Sequence, residues 1–381
     1  MRVLIFQPML KQYRVPLFEK MERLLAEQGH ELRVVSGSPP LNDQRKGDNI
    51  LESKGCCIVE RSLWLFRDKL HFLNNAVKHI LWADFVITEQ ANKHVHNYLL
   101  MGLRLFGIKR FAYWGHGQNR QGNPNSWRER MKKRLSVQCD WWFAYTDGVA
   151  NYVAGLGYPK SKITALNNSV DTSAFKQLLA EIDEYEIAKF KSSLGIQALD
   201  KVGMFCGSLY GEKKLEFLLR SSVLIRESVP DFVLLIIGDG LDKPLVEKFA
   251  ENYPFIKYLG PLFGREKAVA FKSSHLFLCP GLVGLAILDA FVASLPLLTC
   301  DIPNHSPEIE YLENQVNGIM TRASEDEYAG AVSEIFANPK RLNALREGAD
   351  SSSTRFSIEN MALNFVNGIC GYFNTLGGHS V

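Results

Sequence analysis

The hydrophobic positions of this chain fall into short, nearly unbroken runs that tend to end in Gly, Pro, Ser or Thr. In the first half these are "RVLIF" (2–6), "ELRVVSG" (31–37), "DFVIT" (84–88), "KRFAYWG" (109–115) and "DWWFAYT" (140–146). The pattern restarts with "KVGMFCGS" (201–208), "DFVLLIIGDG" (231–240), "IKYLG" (256–260), "HLFLCPG" (275–281) and "LPLLTCD" (295–301). Apolar runs of this kind suit strands buried on both faces, and the longer stretches between them suit helices. Alternating strands and helices predict an α/β fold of doubly wound parallel sheets made from βαβ units.

A chain of 381 residues exceeds one ordinary core and divides most naturally in two. The turn-rich "YPKSKITALNNSVDTSAF" leads into the acidic "EIDEYEIAKFKSSLG", which places a boundary near residue 170. The predicted domains are 1–170 and 171–354. The segment 355–381 has its apolar residues at helical spacing and is expected to pack back on the first domain. Two Rossmann-like domains would face each other across a cleft, with ligands outside the carboxyl ends of the strands.

Charge separates the halves. Residues 1–170 carry 25 basic against 14 acidic side chains, a balance of +11, and the remaining 211 carry 19 against 27, a balance of −8. "MRVLIFQPML" is too short, and too soon broken by Pro8, to be a membrane span or a signal peptide, and reads as the first strand of a cytoplasmic fold. The seven cysteines include no C-x-x-C pair and no zinc-like spacing with histidine, which fits a reducing compartment and no metal.

Candidate chemistry gathers where strands run into glycine-bearing loops. In "CPGLVGLAILDAFVASLPLLTCD" (279–301), Gly281 to Gly284 form a turn and Leu285 to Val292 a helix whose first N–H groups lack acceptors. Such a helix start attracts phosphate. Asp289, one turn along on the same face, could accept two hydrogen bonds from a ribose diol. "FCGSLYGEKKLEFLL", "IIGDGLDKPL" and "YLGPLFGREK" repeat the strand, Gly-rich loop, helix scheme, and the first adds Lys213 and Lys214. A Walker A loop is excluded because three residues separate Gly207 from Gly211 and Glu212 follows. No G-x-G-x-x-G follows the first strand, so an NAD fingerprint is absent there.

The ordered set "GSLYGEKKLEFLL", "IIGDG", "YLGPL", "PGLVGLAILDAFVASLPLLT" and "PEIEYL" resembles the donor-binding domain of retaining glycosyltransferases with the GT-B fold, family 4, of the glycogen-synthase-like and surface-polysaccharide type. "YRVPLFEKM", "WGHGQNR" and "KITALNNSVDTSAF" extend the likeness over most of the chain. The resemblance implies a nucleoside-diphosphate-sugar donor, a glycan or lipid-linked acceptor and no cofactor. It puts Asp289 on the ribose hydroxyls and Gly281 where the family has a glutamate, with Glu308 or Glu310 as substitutes. Ser208 stands where the family has an arginine on the donor phosphates and Lys213 where it has a lysine, with Lys214 sharing that charge. Gly207 belongs to the same loop. Gly284, Leu285 and Ala286 meet the pyrophosphate through their backbone, and Gly260 to Leu262 meet the base edge. Uridine and guanosine remain equal choices.

On the acceptor side the resemblance gives His116 a role beside the donor sugar. Tyr13 and Arg14 lie after the first strand, where an acceptor would enter. "SWRERMKKRL" places Trp127, Met131 and Leu135 at helical spacing among five basic residues, a pattern for an anionic membrane surface. No base-reading module accompanies the charge, which argues against nucleic acid. His94 and His96 form an H-x-H pair without a third ligand in view. The expected activity is retaining transfer of a hexose to a glycan or lipid-linked hydroxyl, peripheral to the inner membrane surface. A non-catalytic sugar-nucleotide-binding subunit and a GT-B sugar-nucleotide epimerase stay open as alternatives.

Overall fold

A computed structural model describes residues 1–40, 49–117 and 127–377. The chain forms two compact units, Met1–Asp171 joined by the helix from Ile358 onward, and Thr172–Ser357.

The first unit holds a seven-stranded parallel sheet of β1 (Arg2–Gln7), β2 (Glu31–Gly37), β3 (Cys57–Glu60), β4 (Phe85–Glu89), β5 (Arg110–Gly115), β6 (Trp141–Ala144) and β7 (Ile163–Ala165). Its order is β7-β6-β5-β4-β1-β2-β3. The chain builds outward from β1 to β3 and then returns to β1's other side with β4. The order therefore reverses between β1 and β4, and ligands of open α/β sheets bind at such a point, beyond the carboxyl ends.

Alternate residues of each strand serve opposite cores. Val3 and Ile5 point to the face covered by Leu17, Phe18, Met21 and Leu25 of the helix Val15–Ala26 and by Met361, Phe365 and Ile369 of the last helix. Leu4 and Phe6 join the opposite face, with Ile80, Leu100, Val149 and Val153. Tyr372 stacks on Phe85 at 4.0 Å between ring centres, and Asn364 donates to the Leu166 carbonyl, so the final helix is an integral layer of this unit. β3 and β7 have no counterpart in the sequence reading, and neither does a hairpin. An antiparallel hairpin, Ser62–Leu65 with Leu70–Leu73, turns through Phe66, Arg67 and Asp68, all at positive φ.

The second unit holds a parallel sheet of β8 (Lys201–Cys206), β9 (Phe232–Ile237), β10 (Ile256–Gly260), β11 (Leu276–Leu278), β12 (Leu297–Cys300) and β13 (Gly318–Thr321). Its order, β10-β9-β8-β11-β12-β13, reverses between β8 and β11. All six residues of β9 are buried, as a strand covered on both faces requires.

Candidate active site

Two loops interlock at the reversal point of the second sheet. Beyond β8 the chain passes Gly207 and the exposed Ser208 into a 3-10 turn, Gly211–Lys213, before the helix Leu215–Ser228. Beyond β11 it makes the Gly281–Gly284 turn and enters the seven-residue helix Ala286–Val292, with Leu285 at the N-cap. Both helices start one residue or more later than the sequence pattern indicates. Leu282 N–H donates to the Glu212 carbonyl at 2.7 Å, and Lys213 Nζ donates to the Leu282 carbonyl at 2.6 Å. Lys213 is only 9% exposed. Its ammonium is tied to the turn that it was expected to assist, which corrects the picture of a freely reaching lysine.

Gly281 makes this contact possible. A Cβ there would stand 2.3 Å from the Glu212 carbonyl oxygen and 2.3 Å from the Lys213 carbonyl carbon. The glutamate of the family signature has no room at this position. Gly238 and Gly240 repeat the device, because a Cβ on either would strike the carbonyl of Gly207 or Leu209. Glycine thus lets three loops crowd one sheet edge. Gly260, at φ +68, accepts a hydrogen bond from Gly238 N–H and ends β10 at the same edge.

Lys214 occupies the left-handed region at φ 52 and caps the following helix. A left-handed lysine costs about 1–2 kcal/mol relative to its right-handed form. Lys214→Gly is therefore expected to raise the melting midpoint by a few degrees, about 1 kcal/mol, as parallel thermal melts will check.

Asp289 carries a partner that sequence reasoning missed. Lys267 Nζ meets Asp289 Oδ2 at 2.7 Å, with the two side chains about a quarter exposed (23% and 26%), and the ammonium lies 4.8 Å from the centre of the Phe175 ring. Both charges act on Cys206, the last residue of β8, whose thiol burial pushes up to about 11. The pair therefore sits near the carboxyl end of the strand flanking the reversal point. Lys267 fixes one carboxylate oxygen and neutralises part of the charge.

Another missed residue is the buried His305. Its Nδ1 accepts from Val283 N–H at 3.1 Å, which makes Nε2 the protonated nitrogen that donates to the Cys300 carbonyl at 2.8 Å. His305 thereby pins the Gly281–Gly284 turn to the end of β12. Glu308 is buried in the 3-10 helix Pro307–Tyr311, which packs against the helix Ala286–Val292.

In the first unit, His116 follows β5, is exposed, and packs its ring on Tyr145 at 4.1 Å. Tyr13 is also exposed. Arg14 is not at an entrance surface: it is 6% exposed, donates to Asn168 Oδ1 at 2.8 Å, and lies over the rings of Trp114 and Tyr145. The basic segment forms the helix Trp127–Ser136 with Met131 exposed, while the Trp127 side chain lies outside what is described. Among the described residues no cluster of three or more His, Cys, Asp or Glu is arranged to hold a metal ion. Nor, among those residues, is any helix long and apolar enough to cross a membrane.

Two doubly wound parallel-sheet units in one chain are the architecture of the GT-B fold. Residues 19–174 match the model "Glycosyltransferase Family 4" and residues 200–338 the model "Glycosyl transferases group 1", so the chain belongs to that family. It is 27% identical over 372 residues to alpha-monoglucosyldiacylglycerol synthase of Acholeplasma laidlawii, covering 91% of this chain and 89% of the relative. It is 23% identical over 218 residues to alpha-galactosylglucosyldiacylglycerol synthase of Streptococcus pneumoniae, covering 54% of each chain. Among solved structures, Anabaena HepE in complex with UDP superimposes with a TM-score of 0.67 at 14% identity, over 97% of this chain and all of the other.

Proposed function

We propose that this glycosyltransferase moves a hexose from a UDP-sugar, with retention, to a hydroxyl of a lipid-linked acceptor of the diacylglycerol or glycosyldiacylglycerol class. The observation that carries the reading is the loop assembly at the reversal point of the second sheet, in a chain similar over nine-tenths of its length to a synthase of alpha-glucosyl diacylglycerol. Asp289 holds the ribose diol through the oxygens that Lys267 orients. The N–H groups of Gly284, Leu285 and Ala286 and the ammonium of Lys213 face the diphosphate, where negative charge develops as the sugar departs. Ser208 provides a hydroxyl in place of a guanidinium, and Glu308 supplies the acid missing at Gly281. His116 positions the sugar, and the acceptor hydroxyl attacks from the face that the diphosphate leaves. The reading calls for no cofactor beyond the donor. The +11 balance of the first half and the basic helix Trp127–Ser136 support an approach to an anionic inner-membrane surface.

The test incubates the full chain with UDP-glucose and vesicles holding diacylglycerol or monoglucosyldiacylglycerol in an anionic lipid background. An α-linked glycolipid, identified by its anomeric coupling constant, supports the reading. Failure to bind UDP, or conversion of a UDP-sugar to its epimer with no acceptor present, overturns it.

At the donor end, Asp289→Ala is expected to weaken UDP binding by about 1.5–3 kcal/mol, roughly ten- to a hundredfold or somewhat more, through loss of a charged acceptor. Lys267→Met should weaken it by a smaller factor, because the carboxylate survives without its orienting partner. Calorimetric titration of both variants checks the order.

A further inference from the structure

The first sheet has a reversal point of its own, and a charged group stands beside it. Glu89 is the last residue of β4, next to β1 in the sheet, and pairs in register with Trp114, two residues before His116. Its Oε2 accepts from His94 Nε2 at 3.1 Å, and the side chain is 37% exposed. Behind it the polar groups run inward. His94 Nδ1 meets His71 Nδ1 at 2.9 Å, and both rings are buried. Asn97 Nδ2 donates to the carbonyls of Glu89 and Ala91, and Thr88 Oγ1 donates to Asn97 Oδ1, so the backbone at the strand end is also held.

The proton positions follow from the partners. His94 must donate Nε2–H to a carboxylate, which leaves its Nδ1 to accept. His71 then donates Nδ1–H and keeps a bare Nε2, the buried atom with no hydrogen-bond partner. Burial above all keeps His71 neutral, down to about 3, in agreement with that assignment. An imidazolium at His94 would instead leave His71 with an orphaned N–H, the costlier error. Thr88 accepts from His96 Nε2 by the same logic, and burial holds His96 uncharged as well.

We infer that Glu89 accepts the hydrogen bond of the attacking acceptor hydroxyl, with His94 and His71 as positioning residues that fix its orientation from behind. Glu89 Oε1 has no partner among the described residues, and it lies at the ligand-binding end of the sheet. Burial tends to raise the carboxyl's pKa, but the hydrogen bond from His94 and the nearby Lys93 ammonium outweigh it and hold the group below the usual carboxylate range. The group is thus an acceptor at every working pH. Two neutral imidazoles in series cost a buried site less than an ion pair, while still locking the carboxylate's rotamer. A carboxylate needed only for folding would gain nothing by keeping one oxygen open at the reversal point.

This inference rests on the transferase reading. Glu89→Gln keeps the shape and an oxygen for His94 but removes the charge. With UDP-glucose and the glycolipid acceptor, kcat/KM for acceptor should fall about ten- to a hundredfold, mostly through KM, with UDP affinity unchanged. His94→Gln should fall less, and only in the acceptor terms. Glu89→Asp, which withdraws the charge by one methylene, serves if Glu89→Gln melts below the assay temperature, and must show the same acceptor defect. Transfer by a folded Glu89→Gln or Glu89→Asp chain at the wild-type acceptor KM overturns the inference alone. A wild-type chain that neither binds UDP nor makes glycolipid overturns the functional reading and this inference with it.

Discussion

Gly281→Ala is expected to lower the stability of the second unit by about 3 kcal/mol or more and to abolish nucleotide binding, although it adds a single methyl group. The atoms in its way are backbone: the Glu212 oxygen and the Lys213 carbonyl carbon, each 2.3 Å from the new Cβ. A side chain could rotate aside, but backbone must shift. Shifting it breaks the Leu282 N–H to Glu212 bond and pulls the Leu282 carbonyl from Lys213 Nζ. Gly281→Glu should fare no better, because its Cβ meets the same backbone atoms. Calorimetric melts with UDP titration decide the matter. An unchanged midpoint and unchanged affinity for Gly281→Ala would mean that the two loops do not interlock.

The strands could be read from sequence because a strand covered on both faces must be apolar through its buried part, as all of β9 and Val3 to Phe6 of β1 are. Glycine loops at strand ends were legible for a related reason: only glycine allows so close an approach, and "GDG" or "CPG" after an apolar run has few other uses. What stayed hidden was pairing at a distance. Lys267 and Asp289 are 22 positions apart on two different helices, and neither local sequence differs from a solvated helix face. His305 looks like any loop histidine until the Val283 N–H is placed against it. Arg14 was misplaced because a basic residue after a strand suggests an open rim, whereas Asn168 and two aromatic rings draw it inward. The H-x-H pair was set aside for lack of a third ligand. His94 instead shares a hydrogen bond with His71, on a hairpin that the sequence pattern did not announce.

Lys213→Met should reduce kcat by about a hundred- to a thousandfold while changing the UDP dissociation constant far less. The distinction follows from where the ammonium sits. It is almost wholly buried and spends one proton on the Leu282 carbonyl, leaving two more donors for a phosphate oxygen. On the proposed reading the helix-start N–H groups and Asp289 already hold the ground-state nucleotide, so the lysine would add most when the bond to the sugar breaks and another charge appears. Methionine fills the same volume but leaves the Leu282 carbonyl with only the weak Cys279 thiol donor at 3.8 Å, a cost of about 1 kcal/mol in stability that melts will register separately from the rate. Lys213→Arg should not rescue the rate, because a rigid planar fork does not take the place of a compact ammonium buried between the Leu282 carbonyl and the Tyr210 ring. If Lys213→Met loses affinity as steeply as rate, the ammonium serves binding in general and the leaving-group role falls. If kcat alone drops, Lys213 and Asp289 divide the donor between them, one stabilising departure and the other securing the nucleotide.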